Sequence, residues 1–213
     1  MIKFRPLRAD EVEVRISQVA RDSSYVILLL YKDARCDMRI LDEVVGPEKW
    51  MREHYECKGN LFCRVGIKCG EEWVYKSDCG AESNAEKEKG ESSDSFKRAC
   101  FNWGIGRELY TAPFIKVPQT GKDGNPNYKL DNNNRPKGSF AVTDMTVENG
   151  KIVALNIENV WLHRTVFALY PQRVCCICGK VIPEEIYRGS MEANGKPYCS
   201  GTCKRKDPVN VEA

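Results

Sequence analysis

The sequence lacks several features that define familiar protein classes. It has no G-x-x-x-x-G-K-[ST] phosphate loop, so we expect no ATP-driven activity. Histidine is scarce, and neither His54 nor His163 stands in a recognisable triad or metal pair. The longest apolar run, Tyr25 to Tyr31, is too short to cross a bilayer, and the first residues contain no apolar core of signal-peptide length. We therefore expect a cytoplasmic protein without a membrane segment.

A large excess of charge of one sign is also missing. The chain has 33 basic and 30 acidic residues, a formal net charge of +3. Any nucleic-acid site must then be a local arrangement of cations rather than a general coat of positive charge. The 213 residues and the apolar content of 42% suit one medium-sized domain with a small appendage. We predict domains at residues 1–170 and 171–213.

Cysteine, by contrast, is abundant. Eleven cysteines in a cytoplasmic chain are expected to be reduced, and so to be small buried residues or metal ligands. Near the C-terminus, Cys175-x-x-Cys178 is separated by a twenty-residue spacer from Cys199-x-x-x-Cys203. Two close thiolate pairs suit a tetrahedral zinc ion, and four protein ligands leave no open position, so the predicted Zn²⁺ is structural. Cys176 is then a bystander or an alternative ligand.

The predicted zinc finger resembles treble-clef fingers whose second half reads Tyr-Cys-Ser-x-x-Cys. A basic run, Lys204-Arg205-Lys206, lies beside it. Two purposes fit this tail: contact with DNA or a protein partner, or simply the folding of a short segment around its metal.

The periodicity of the larger domain predicts helices and strands. Helical spacing of Leu7, Val12 and Ile16 predicts a helix over residues 6–20, and residues 25–31 form a predicted strand. After Trp50 the pattern alternates, placing the odd-numbered residues from Leu61 to Cys69 on one sheet face. In simple register, one sheet face would gather four cations: Arg52, Arg64, Lys68 and Lys76.

Two later segments have different signals. Residues 119–138 have no apolar period and are dense in Gly, Asn and Pro, which indicates a flexible loop, either a plain connection or a flap that binds something. Residues 139–158 carry two apolar stretches around Asn149-Gly150, a dipeptide that favours the tight turn of a β-hairpin.

The most informative stretch is residues 92–110. Phe96, Cys100 and Trp103 fall at i, i+4 and i+7, which is one apolar stripe of a helix that Gly104 ends. Lys97 and Arg98 flank the stripe. The pattern alone does not distinguish a functional pair of cations from the solvated cations of an ordinary amphipathic helix.

The run Asp94 to Gly104 resembles the signature helix of the Rad-fifty-two superfamily of single-strand annealing proteins, in particular its phage Sak-type members. A second block, Ile40 to Trp50, resembles the short helix, glycine turn and tryptophan that open the first long strand of that family. The resemblance covers roughly residues 5–118. It implies an α+β domain in which an antiparallel β-sheet packs on a long helix.

The resemblance also implies a function: ATP-independent binding and annealing of single-stranded DNA in phage recombination and repair, without enzymatic bond chemistry. Protomers of the family form a ring or helical arc, and the expected partners are single-stranded DNA, further copies of the chain, and a single-strand-binding protein or an exonuclease. Lys97 and Arg98 would line the inner DNA site. Where the family has a third basic residue one turn later, this chain has Phe101, and Arg107 is the candidate to complete the site. Weaker candidates for supporting contacts or for contacts with an outer strand are Arg35, Arg39, Arg64 and Lys68.

Two alternatives come from other classes. The chain could be a zinc-finger DNA-binding or adaptor protein that does not anneal strands. A metal-dependent nuclease would use Asp42 with Glu56 and Lys58, an acidic residue followed by E-x-K. Asp42 is predicted on a helix and Lys58 at a hairpin tip, which is a poor geometry for that chemistry.

Overall fold

The computed structural model of the protein describes residues 2–81, 87–169 and 173–207. The chain divides into two compact units, Met1–Leu169 and Tyr170–Ala213. Within the described residues the predicted α+β class is confirmed, with antiparallel sheets and four α-helices. The helices are α1 (Ala34–Val45), α2 (Lys87–Trp103), α3 (Glu184–Asn194) and α4 (Gly201–Arg205). The strands are β1 (Glu13–Val19), β2 (Tyr25–Tyr31), β3 (Trp50–Cys57), β4 (Asn60–Cys69), β5 (Glu72–Cys79), β6 (Ile115–Pro118), β7 (Lys129–Leu130), β8 (Pro136–Lys137), β9 (Phe140–Glu148), β10 (Lys151–Asn159) and β11 (Arg164–Leu169).

The helix predicted for residues 6–20 is wrong. A short 3₁₀ turn at Ala9–Glu11 leads into β1, which pairs antiparallel with β2. Four β-branched residues favour an extended chain once a partner strand is present, and this outweighs the helical spacing. They are Val12, Val14, Ile16 and Val19. The strand predicted for residues 25–31 is confirmed as β2.

The larger sheet has six strands in the order β11-β10-β9-β1-β2-β6. The predicted hairpin is present as β9 and β10, with Glu148 paired to Lys151. Both turn residues have positive φ, 51° at Asn149 and 74° at Gly150. Such angles match a primed turn, whose twist agrees with that of the flanking strands.

The smaller sheet has three antiparallel strands in the order β3-β4-β5. In β4, Cys63, Val65 and Ile67 are fully buried, whereas Arg64 and Lys68 are exposed. The predicted two-residue alternation is therefore confirmed. Its buried face contacts α2, where the Trp103 indole Nε1 donates a hydrogen bond to the Val65 carbonyl at 2.9 Å.

The strand register places the four cations predicted for one sheet face on two opposite faces. Arg52 pairs with Val65, and Lys76 also pairs with Val65, so both lie on the face that contacts α2. There the Arg52 guanidinium lies 4.9 Å from the centre of the Phe96 ring. Only Arg64 and Lys68 lie on the opposite face, so the prediction of a single basic face is wrong.

Residues 119–138 have defined structure, including the small β7–β8 hairpin. Tyr128 is fully buried, and its hydroxyl donates to the Ser23 carbonyl at 2.9 Å. Arg164 donates to both carboxylate oxygens of Asp123, at 2.6 and 2.7 Å. The segment is therefore held against the larger sheet by contacts that its composition does not reveal.

A single apolar core includes side chains from both sheets and from α1 and α2. Within this core lies an ion pair between Lys32, at the end of β2, and Asp37 in α1; the Asp37 side chain is fully buried. Burial raises the pKa of the Asp37 carboxyl to about 6, although the Lys32 ammonium opposes the shift. Removing one partner of a buried ion pair is costly because the remaining charge is left in the core without solvation.

We predict that Lys32→Met lowers the free energy of unfolding by about 3–5 kcal/mol near neutral pH, because it leaves an uncompensated buried carboxylate. The loss should shrink at about pH 5. With Lys32 present the pKa of Asp37 is about 6, and without the ammonium it rises higher. The lone carboxyl is therefore neutral at about pH 5. Denaturant unfolding at both pH values measures this. Lys32→Met/Asp37→Leu should recover most of the loss, and an equal loss in the single and double variants would contradict the prediction.

Candidate functional site

The packing of α2 fixes the position of the signature cations. Phe96 and Cys100 are fully buried, and Gly104, with a φ of 112°, follows the last helical residue. Lys97 and Arg98 project from the flank of this buried stripe, half-buried and exposed respectively. Their backbone is thereby held in a rigid helix.

Lys97 and Arg98 line a groove of about 360 Å³ between α2, the β1–β2 hairpin and the 3₁₀ turn at Arg107–Thr111. Its walls mix cations with aromatic and aliphatic side chains, and Asp94 is the acidic residue among them. The lining residues are Arg15, Leu29, Leu30, Tyr31, Lys32, Asp94, Lys97, Arg98, Phe101, Gly106, Leu109 and Tyr110.

Two of the four groove cations are already paired. Lys32 binds Asp37, and the Arg98 Nε donates to an Asp78 carboxylate oxygen at 3.2 Å. Arg15 and Lys97 have no ion-pair partner among the described residues. These two are the groove charges most available to an anionic ligand.

Sequence reasoning missed Arg15 because it assigned a helix to this segment. In the structure Arg15 pairs with Leu29 across β1 and β2, and its guanidinium lies 5.6 Å from the centre of the Tyr31 ring. Leu28 and Leu30 are buried in the same strand, whereas Leu29 is exposed. A strand assignment would have placed Arg15 on the exposed face with Leu29.

An aromatic pair stands where the family resemblance leads one to expect a third cation. The Phe101 and Tyr110 rings lie 4.5 Å apart between centroids, tilted by 51°, and Tyr110 is 73% exposed. Arg107 does not line the groove. Its guanidinium donates to the carbonyls of Phe101 and Asn102, at 2.9 and 2.8 Å, and so caps the end of α2.

The remaining predicted cations lie elsewhere on the larger unit. Arg35 and Arg39 are exposed one turn apart on α1, outside the groove lining. Arg64 and Lys68 are exposed on the face of β4 that points away from α2. The structure thus brings Lys97 and Arg98 together with Arg15, and leaves the other five candidates outside the groove.

The residues of the nuclease alternative are not brought together. Asp42 accepts a hydrogen bond from the Trp50 indole at 2.7 Å, at the start of β3. Glu56 lies six residues further along that strand, which corresponds to about 20 Å of extended chain. Lys58 lies still further, in the turn beyond β3.

The smaller unit contains a cluster of four thiols. The sulfurs of Cys175, Cys178, Cys199 and Cys203 all lie within 4.8 Å of one another. The Cys199 sulfur is 3.6 Å from that of Cys178 and 3.4 Å from that of Cys203, too long for disulfide bonds. Four sulfurs around a tetrahedral ion at 2.3 Å would be about 3.8 Å apart. The cluster is therefore compatible with a metal site.

Local backbone geometry presents these sulfurs. The Cys175 amide donates a hydrogen bond to the Lys180 carbonyl at 2.9 Å, and the Gly179 amide donates to the Cys175 carbonyl at the same distance. Gly179 has a φ of 69°, a conformation that glycine adopts without strain. On the other side, the Ser200 hydroxyl accepts from the Cys203 amide at 3.3 Å and so begins α4.

The electrostatics of the cluster favour a cation. Burial raises the pKa of Cys175, but hydrogen bonds from the amides of Cys178, Ile177 and Cys199 outweigh it and lower the pKa to about 6. The pKa of Cys203 rises to about 12, chiefly because the Cys199 sulfur lies against it and because burial disfavours its thiolate. A bound cation would relieve the repulsion between neighbouring thiolates.

Comparison of the chain with models of protein families, with curated proteins and with solved structures gives no match. None of the described helices is both long and apolar enough to cross a membrane.

We predict that the full chain holds one metal ion per molecule, and that replacing any cluster cysteine by serine releases it. Four thiolates are needed to complete the coordination, and their spacing fits a single ion. Cys176→Ser is the matched control, because Cys176 is an exposed neighbour outside the cluster. Elemental analysis of the purified variants measures the metal. A Cys199→Ser variant that retains a full equivalent would contradict the assignment.

Proposed function

We propose that the protein binds single-stranded DNA and anneals complementary strands without ATP, in phage recombination and repair. The observation that carries this is the groove itself, where Lys97 and Arg98 on a rigid helix face Arg15 on β1. The order of elements supports the proposal: α1, a glycine turn, Trp50, three antiparallel strands and α2 follow one another as in the family that the sequence resembles.

In this proposal the groove holds one strand by its phosphates. Lys97 and Arg98 neutralise charge from one wall and Arg15 from the other, while the Phe101–Tyr110 pair offers ring surface for a base. The remaining bases face outward and sample pairing with a second strand. The protein thus supplies alignment and charge neutralisation and makes no covalent bond.

We further propose that the active form is an assembly of many copies, as a ring or helical arc. Apart from Lys32, which is paired with buried Asp37, the groove offers three cations, and one of these, Arg98, is shared with Asp78. They are too few to hold a strand in register at physiological salt, whereas each added copy extends the same contacts along the backbone. Within the described residues, β3 and β5 form the two edges of the three-stranded sheet. An edge strand offers unpaired backbone groups to a neighbouring chain.

For the smaller unit we propose structural Zn²⁺ at the four cysteines, since soft thiolates in a closed tetrahedral set favour zinc. Basic residues lie on and just after α4. A further role for this unit is therefore contact with DNA, with a single-strand-binding protein or with an exonuclease. The alternative, an adaptor that binds DNA through the finger and does not anneal, is favoured by the compactness of this unit.

We predict that the purified protein accelerates annealing of complementary oligonucleotides with neither nucleotide nor divalent metal added, because the chain has no phosphate loop and the groove contributes only positioning. A fluorescence-quenching assay with labelled strands measures the rate, and light scattering on the same samples should detect assemblies. Binding without annealing would favour the adaptor. Cleavage of the strands in the presence of magnesium would support the nuclease alternative.

We predict that Lys97→Ala/Arg98→Ala flattens the salt dependence of single-strand binding by about 1.4 in the log–log slope, since each phosphate contact contributes about 0.7. Folding should survive, because neither side chain belongs to the buried stripe. Lys122→Ala/Lys151→Ala is the charge-matched control, at two exposed sites outside the groove. Binding isotherms over a salt series measure the slope, and an unchanged slope would show that the Lys97–Arg98 pair is merely solvated.

A further inference from the structure

The face of the three-stranded sheet opposite α2 carries an unusual set of side chains. We call it the outer face; the strand register assigns its members from each strand. Four of the residues named below carry aromatic rings, and these are interspersed with two cations and one acid. The outer-face residues on which the inference depends are Met51, Glu53, Tyr55, Phe62, Arg64, Gly66, Lys68, Trp73 and Tyr75.

The Tyr75 ring packs over Gly66 on this face. It pairs with Gly66, and a Cβ atom added at Gly66 would meet the Tyr75 ring at 2.5 Å, so the ring occupies the space that the glycine leaves open. The Tyr75 hydroxyl reaches the Met51 sulfur at 3.9 Å. Although it is pinned against the sheet, Tyr75 remains 45% exposed. A ring fixed in place and partly exposed keeps surface available to a planar ligand.

A pair of stacked rings lies further along the same face. Tyr55 pairs with Phe62 across β3 and β4, and their rings stack at 5.6 Å with an angle of 24°. Between the two ring sites lies the Arg64 guanidinium, 5.3 Å from the Tyr75 ring centre and 6.0 Å from that of Tyr55. The face therefore presents a row of ring, guanidinium and ring.

Arg64, Lys68 and Glu53 give this face a net charge of +1, with one cation more than the ion pair uses. Arg64 donates to the Glu53 carboxylate at 2.7 and 3.0 Å, which holds its guanidinium in place among the rings. Lys68 is exposed two residues beyond Gly66. Rings that stack on bases, with cations beside them for phosphates, are the two contacts that single-stranded nucleic acid uses on β-sheet surfaces.

We propose that the outer face is a stacking platform for bases of single-stranded nucleic acid, with Tyr55 and Tyr75 as the principal rings. Arg64 supplies a further planar surface between them, and Lys68 a phosphate contact. The platform is a second site beyond the annealing groove, because the groove lies beside α2 and the platform lies on the opposite face of the sheet.

The test uses the full chain and two probes, a labelled oligothymidylate and an abasic oligomer of equal length. Tyr55→Leu/Tyr75→Leu keeps apolar bulk over Gly66 but removes the rings. It should lower affinity for oligothymidylate by roughly 5- to 100-fold and leave affinity for the abasic oligomer unchanged. Tyr55→Phe/Tyr75→Phe retains the rings and should bind as the native chain does. Trp161→Leu is the control for loss of an exposed aromatic elsewhere.

The same measurements in a Lys97→Ala/Arg98→Ala background separate the platform from the groove, since the platform effect should persist there even where annealing is lost. Equal losses on both probes, or no loss on oligothymidylate, would overturn the proposal. So would a change in assembly size at unchanged affinity, which would assign the outer face to contacts between copies.

A second measurement needs no substitution. Photocrosslinking of a bromodeoxyuridine oligonucleotide to the native protein, mapped by mass spectrometry, should label peptides of β3 and β5. Crosslinks confined to the groove rings Phe101 and Tyr110 would also overturn the platform.

Discussion

The packing of α2 against the three-stranded sheet is the constraint on which the rest of the larger unit depends. Neighbouring helical residues point about 100° apart, so burial of Phe96 and Cys100 leaves Lys97 and Arg98 on the flank of the helix, where Arg98 reaches Asp78 at the end of β5. The interface is closed at its edges by cations that cover rings: Arg52 lies over Phe96, as described above. One apolar interaction therefore determines where the groove lies, which charges enter it, and which sheet face remains open.

Local signals in the sequence predicted much of this. The apolar stripe of α2, the alternation in β4 and the Asn149-Gly150 turn each depend on residues close in the chain, and all three are present. The N-terminal segment failed because its spacing fits a helix while its β-branched residues favour a strand. That error hid Arg15, since only a strand places it beside Leu29 on the exposed face.

What the sequence could not supply are contacts between distant residues. Strand register moves Arg52 and Lys76 to the buried face, where Lys76 donates to the Asn102 carbonyl at 2.9 Å and lies over the Trp103 ring. Residues 119–138 have the composition of a loose loop, yet Arg164, far along the chain, binds Asp123 within them. The cysteine cluster is the exception, because its local spacing predicted which four thiols would meet.

The aromatic pair of Phe101 and Tyr110 at the end of α2 influences what the groove is able to hold. Arg107 does not contribute to the groove, because its guanidinium is engaged by the two carbonyls at the end of α2. Positive charge comes instead from Arg15 on the opposite wall. Under the proposed function, a strand in the groove would be neutralised from two sides rather than along one helix. At the end of α2 the ligand would meet the Phe101–Tyr110 rings, which favour a base over a phosphate. Affinity would then depend less steeply on salt than in a groove with a third cation on α2, since stacking releases no counterions.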